Sequence, residues 1–331
     1  MGLPTQIAVL ILREHLHRPI TGTILSIGRQ TVFLSPTEAI QLVEQELGIA
    51  VDIAPDALEI DAETRGGEGK SYITDRAFYG LFAKEISYRC LDVTNYEGAD
   101  IIADLCKPVP PALDGMADFI IDGSSLDNIF DPAAAIRNLS RMLKPHGRIL
   151  QLNRASRRHN VYVAFALSWF HDYYSVNAFD DCQVYLAQWE DNQLSARWDF
   201  YHYSPIREWS GRLAYFGQDC YYYPWRGAHA IVLAEKGERS TWDQTPIQFE
   251  YRPGIKHIEI DGRIEIEPYD LDRRASDPYV ASATRFFASP RNWLRGAELV
   301  SLPPEFLHYS PETPYCGSIH PITEHLATHQ A

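Results

Sequence analysis

Basic charge is scarce in this chain. Against 44 Asp and Glu stand 30 Lys and Arg, a formal charge of −14 over 331 residues, with no run of Lys and Arg to offset it. Such a surface repels phosphate backbones, so nucleic acid is not an expected partner. Cysteine is equally sparse. Cys90, Cys106, Cys182, Cys220 and Cys316 are far apart, odd in number and never paired as CxxC, which excludes the common zinc and dithiol patterns and fits reduced thiols. Long apolar runs are missing too. The longest, residues 7–12 and 161–170, fall well short of the ~18 residues of a membrane span, and no basic segment precedes the first as in a signal peptide. The start Met1-Gly2 lacks the Ser or Thr that myristoylation wants at position 6, where Gln6 stands. A cytoplasmic globular protein is expected, and 45% hydrophobic residues supply its core. Oligomeric state leaves no trace in the sequence.

What is present is an alternation of short apolar runs with amphipathic segments. Residues 5–17 read as a helix docked by one face. TILSI (23–27) reads as a buried strand stopping at Gly28. Ser35-Pro36-Thr37-Glu38 forms a capping box with Pro at the first helical position, and Gly48 ends that helix. Residues 49–71, acidic and then glycine-rich, read as a solvated surface loop. A short helix capped near Thr74 follows. YRCLDV (88–93), ADIIADL (99–105), ADFIIDG (117–123) and GRILQLN (147–153) read as further strands, with a strong helix at DPAAAIRNLSRMLK (131–144). This alternation is the pattern of a mostly parallel sheet with helices on both faces. Beyond residue 153 come a helix near 160–175, an antiparallel pair DCQVYLAQWE and LSARWDFYHY joined at Asp191-Asn192-Gln193, and a strand HAIVLAEKG. A hairpin IEIDGRIEI with an Asp261-Gly262 turn and a Pro-rich tail follow. The expected organisation is a domain over 1–240, with core 20–153 and an aromatic-rich part 154–228, and an extension over 241–331.

Parallel α/β sheets bind ligands at the carboxyl ends of their strands. Those ends are Gly28, Asp92, Asp104 and the loop Asp122-Gly123-Ser124. A glycine after the first strand lets a ligand approach the backbone, and an acid after the second can take both hydroxyls of a ribose.

At these residues the chain resembles the class I S-adenosylmethionine-dependent methyltransferases. ADFIIDGSSLDNIFDPAAAIRNLSRMLKPHGRILQLN (117–153) is similar to that family's fourth strand, following helix and turn into strand five; the likeness spans about residues 5–237 and is strongest over 86–153. TDRAF, DVTNYEGADIIADL and GRQ also resemble, more weakly, methyltransferase-like proteins of bacterial surface-glycan gene clusters. The family implies a Rossmann-like sheet of seven strands with the last antiparallel, and S-adenosylmethionine as cofactor. Carried over residue by residue, Gly28 stands at the glycine-rich loop and Asp92 at the ribose. Asp104 and Leu105 stand at the adenine, and Asp122, Gly123 and Ser124 beneath the methionine part. The chain departs from the family in having one glycine, Ile27-Gly28-Arg29-Gln30-Thr31, where the family has several, in Pro145-His146-Gly147, and in ~60 residues between strands one and two.

The expected acceptor is a hydroxyl of a small molecule or glycan. A base is then needed, and His171 and Asp172 in SWFHDYY and His202 in FYHYS are the candidates, each open also to a half-buried structural role. Tyr173, Tyr174, Tyr221, Tyr222, Tyr223 and Trp225 can stack on a sugar or pack the core. The alternative function is a non-catalytic interaction protein on the same fold. Several motifs are set aside. Gly69-Lys70-Ser71 lacks the first P-loop glycine, since position 64 is Thr64. Neither a dinucleotide GxGxxG nor a hydrolase GxSxG occurs. His325 and His329 fall in the tail, and the Asn138 sequon falls mid-helix.

Overall fold

The structure is a computed structural model of the chain. It describes residues 2–65, 71–95, 97–156, 161–189, 194, 197–203, 227–248, 251–252, 257–260, 263–266, 277–289, 291 and 315–319. The turns at 191–193 and 261–262, the aromatic run 221–225, most of the glycine-rich 66–71 and the His325–His329 pair lie outside the described residues.

The first elements are β1 (Gly2–Leu3), α1 (Thr5–His17), β2 (Gly22–Ile27), β3 (Thr31–Val32), α2 (Pro36–Leu47), β4 (Ile60–Arg65), β5 (Ser71–Thr74), α3 (Asp75–Gly80) and β6 (Ile86–Asp92). Then come β7 (Ile101–Ile102), β8 (Ala117–Gly123), α4 (Pro132–Met142), β9 (Leu143–Arg154), α5 (Leu167–Val176), β10 (Asp181–Trp189), β11 (Trp198–His202) and β12 (Gly227–Glu235). The hairpin β13 (His257–Ile260) and β14 (Arg263–Ile266), the helix α6 (Pro278–Phe287) and β15 (Tyr315–Ile319) are the remaining elements among the described residues.

Among the described residues the main sheet has nine strands in the order β15-β11-β10-β12-β9-β8-β2-β6-β7. β7, β6, β2, β8 and β9 run parallel, and β12 inserts antiparallel between β9 and β10. Leaving aside the edge strands β11 and β15, these are seven strands of which the last in the chain is antiparallel. This is a Rossmann-like sheet with the antiparallel last strand that the resemblance implies. β11 and β15 extend it, so part of the C-terminal extension joins the same sheet. The apolar runs that mark these strands are buried on both faces, with separate clusters under α1 to α3 and under α4 to α6.

The capping box forms as expected, Ser35 Oγ accepting from Glu38 N and Glu38 Oε2 from Ser35 N. The acidic segment is not wholly a solvated loop. Its residues 60–65 form β4, in a small sheet ordered β1-β3-β5-β4. Asp61 there is buried, bonded by Thr31 Oγ1 and Arg29 Nη2.

On β12, buried His229 stacks on Trp189 at 4.8 Å and on Trp198 at 5.8 Å between ring centres. Burial pushes its pKa well below 6.5. The folded state therefore keeps it neutral while the unfolded chain takes a proton below pH 6.5, so this contribution to stability is whole above 6.5 and falls as pH drops. Asp75 and Asp127, both raised to about 6 by burial, act in the opposite sense, their contribution being lost as pH rises through 6. Replacing His229 by Phe keeps the stack and removes one titration. Denaturant unfolding at pH 7.5 and 5.5 should show the variant gaining about 1.4 kcal/mol relative to wild type at the lower pH. An unchanged difference would show that His229 is protonated in the fold.

Candidate functional site

The strand order reverses between β2 and β8, and the carboxyl ends of β2, β6, β7 and β8 converge there. β2 ends in a turn that Gly28 makes with φ +68°, a conformation costly for a residue bearing Cβ. Gly28 N donates to Leu91 O at 2.7 Å, which draws the turn against the end of β6. A Cβ built on Gly28 would lie 3.5 Å from Asp92 Oδ2, 3.7 Å from Gln30 Nε2 and 3.8 Å from Ser125 Oγ. The Asp92 carboxylate thus stands beside the first turn, half-buried, with Oδ1 accepting from Thr94 N at 3.2 Å.

Two apolar residues that sequence reasoning passed over flank it. Val93 is 62% exposed and Ile102, paired with Asp92 across β6 and β7, is 54% exposed. Their signal was available, since each sits at a strand end where an apolar side chain has no core to enter. Asp104 lies past β7, its Oδ1 accepting from Cys106 N and its Oδ2 paired with Lys107 Nζ at 2.9 Å; the Lys107 bond first and the Cys106 bond second lower its pKa. Leu105 is buried, and its carbonyl accepts from Asn138 Nδ2 at 2.9 Å.

The loop after β8 is internally bonded. Asp122 has 0% exposure, its Oδ1 accepting from Ser125 N at 2.8 Å and Leu126 N at 3.3 Å, and its Oδ2 from Asn153 Nδ2 at 2.9 Å and Gln151 Nε2 at 3.3 Å. Burial raises its pKa, while all four neighbours donate to its ionised form. Asp122 therefore holds the loop and presents no atom to a ligand. Gly123 packs on Gln30 so closely that any Cβ would collide with Gln30 Oε1. Ser124, at φ +73°, donates from Oγ to Asp127 Oδ2 at 2.6 Å.

The turn after β2 has its carbonyls engaged. Ile27 O accepts from Ser125 Oγ at 2.6 Å and from Gln30 Nε2 at 2.8 Å. Gly28 O accepts from Gln30 Nε2 at 3.2 Å and has Ser26 Oγ at 2.7 Å. Arg29 turns away to Asp61 and does not enter the site.

His171, Asp172 and His202 are not brought to this convergence. His202 lies on β11, four strands from β8, or roughly 19 Å at ~4.8 Å per strand, and bonds Gln183 Oε1 at 3.0 Å. His171 is buried on α5, which packs over β10; its ring meets Tyr203 and Phe286, and its Nδ1 is 3.3 Å from Ser175 Oγ. Asp172 is paired with Arg252 Nη2 at 2.7 Å, and that guanidinium covers the Tyr279 ring. These placements give the three residues structural partners at the far edge of the sheet. Tyr173 and Tyr174 are likewise core, their hydroxyls bonding Ser140 Oγ and Gln151 Oε1.

Beyond the β8 loop, Phe130 is 81% exposed and meets Tyr162 edge to face at 5.8 Å. Among the described residues no group of three His, Cys, Asp or Glu could hold a metal, and no helix is long and apolar enough to cross a membrane.

No protein-family model matches the chain, and no curated protein matches it in sequence. Solved structures do match. The CMeT domain of the citrinin polyketide synthase is 12% identical, with 70% of this chain and 52% of that chain covered and a TM-score of 0.34. Haemonchus contortus phosphoethanolamine N-methyltransferase 2, with S-adenosyl-L-methionine, is 12% identical over 69% of this chain and 52% of that one, at a TM-score of 0.35. The O-methyltransferase of a trans-AT polyketide synthase of Brevibacillus brevis is 14% identical over 72% and 73%, at 0.34. The chain spans about half the length of the first two. The strand order and pairings by themselves give the fold.

Proposed function

We propose that the chain binds S-adenosylmethionine at the ends of β2, β6, β7 and β8 and directs its methyl group to a hydroxyl of a small molecule or carbohydrate. The observation that carries this reading is the Asp92 carboxylate, held beside the Gly28 turn at the switch point of the sheet with Oδ2 directed to the turn. A carboxylate there can accept from both hydroxyls of a ribose, and exposed Val93 and Ile102 offer apolar faces to a base. Asp104 and Leu105 border that face, and the Gly123 to Ser125 loop closes the other side. When bound, the cofactor supplies an electrophilic methyl on a sulfonium sulfur. The chain's own part is to hold the donor and to orient the acceptor on the line of attack. Phe130 and Tyr162 offer rings on which the C–H face of a sugar can lie. With His171, Asp172 and His202 engaged elsewhere, none of them takes the hydroxyl proton, which passes to solvent, and alignment carries the rate in this reading.

Titration calorimetry with S-adenosylmethionine and S-adenosylhomocysteine tests it. Asp92→Ala should weaken binding by about 2 kcal/mol, close to thirtyfold, because charge-assisted bonds to the ribose are lost, while melting stays near wild type. Folded wild-type protein that binds neither ligand at millimolar concentration would sink the reading. A second reading, a methyltransferase-like interaction protein without cofactor, is favoured by one observation, the engagement of both turn carbonyls by Gln30 and Ser125. The same titration separates the two.

A further inference from the structure

The side chain of Gln30 is fully buried, and its two ends are treated unequally. Nε2 donates to Ile27 O and Gly28 O, whereas Oε1, pressed against Gly123, has no hydrogen-bond partner among the described residues. A buried amide oxygen without a donor is costly, so this side chain is retained by its N–H end and by packing alone. Its main chain is fixed independently, Gln30 N donating to Asp75 Oδ2 at 3.2 Å and Gln30 O accepting from Asp75 N at 3.0 Å. The side chain can therefore leave without unmaking the turn.

A carbonyl oxygen has two lone pairs. At Ile27 O both are taken, by Gln30 and Ser125, and at Gly28 O the neighbours are Gln30 and Ser26. An ammonium group carries N–H donors of the same kind, and these carbonyls are the acceptors for which it would compete with the Gln30 amide. We infer that Gln30 is an internal competitor for that ammonium and thereby sets which nucleosides the site accepts. Adenosine, which needs Asp92 and the apolar faces alone, binds with Gln30 in place. A nucleoside bearing an amino-acid tail must first displace the amide. The bonds regained by its ammonium replace the bonds lost by Gln30, so the tail adds little affinity. This inference rests on the nucleoside site proposed above.

Calorimetry with adenosine and S-adenosylhomocysteine, on wild type and on Gln30→Ala, tests it, with thermal melting to establish folding. In wild type the two ligands should bind within about threefold of each other. In Gln30→Ala, S-adenosylhomocysteine should tighten at least tenfold and adenosine should stay within twofold. Wild type preferring S-adenosylhomocysteine by more than tenfold overturns the inference even if the variant does not fold. So does a variant that binds S-adenosylhomocysteine no better than wild type while adenosine binding persists. If neither ligand binds folded wild type or folded variant, the nucleoside site itself is refuted along with the inference.

Discussion

Arg291→Met should lower the stability of the whole chain by about 3–5 kcal/mol, the usual cost of removing one partner from a buried ion pair. Arg291 lies in the C-terminal extension, yet its guanidinium is enclosed by the body of the protein. Nη1 is 2.5 Å from Asp181 Oδ2, Nη2 is 2.6 Å from Glu235 Oε2, and Nε is 3.4 Å from Glu14 Oε2. Arg148 and Arg18 share two of these acids, Arg148 bonding Glu14 and Arg18 reaching Glu235 at 2.9 Å. Three acids thus face three guanidiniums, joining α1 to β9, β10 and β12. Without Arg291 the acids outnumber the cations. Glu14, with 0% exposure, keeps Arg148, whereas Asp181 loses the guanidinium paired with it. At a few degrees per kcal/mol, melting should fall by roughly 10 °C. Adding Asp181→Asn restores the charge balance and should recover part of the loss. A drop below about 1 kcal/mol would mean that water or another cation reaches the acids readily.

The sheet was legible because each central strand is a short apolar run bounded by a turn, and both faces of a parallel sheet demand that run. The strand-end acids were legible for the same reason, since Asp92 and Asp122 break apolar runs at their last position or next to it. The small sheet was not. β1 and β3 are two residues long and pair with distant segments, while β4 and β5 pair with each other but β4 (IDAETR) is largely polar, so no apolar periodicity announces them. Nor could sequence say which acid would be consumed internally. Gln151 and Asn153, the donors to Asp122 Oδ2, lie about 30 residues on. One clue existed: in GRILQLN they occupy i and i+2, hence one face of an otherwise apolar strand, and buried polar groups in such a place need a partner. The histidines misled because an aromatic segment's neighbourhood in sequence carries no information about its lateral place in a sheet. α5 and β11 belong to the β10 edge, several strands from the switch point.

Asp122 and Asp92 should consequently separate under mutation. Asp122→Ala should cost about 3–5 kcal/mol of stability, because four buried donors lose their acceptor at once, each orphaned group being worth about 1–3 kcal/mol before relaxation. Asparagine should not rescue it. Its oxygen could serve Ser125 N and Leu126 N, but its Nδ2 would then face the amide N–H groups of Asn153 and Gln151. Neither amide can turn over cheaply: Asn153 Oδ1 accepts from Asp127 N at 3.1 Å, and Gln151 Oε1 accepts from Tyr174 OH at 2.6 Å. Asp122→Asn should therefore still lose about 2 kcal/mol. Asp92→Ala, by contrast, removes one half-buried carboxylate bonded to Thr94 N and should cost under about 1 kcal/mol of stability. Chemical denaturation of the three variants measures the order. Equal losses for Asp92→Ala and Asp122→Ala would show that Asp92 is also part of the scaffold, which would remove the group on which nucleoside recognition depends.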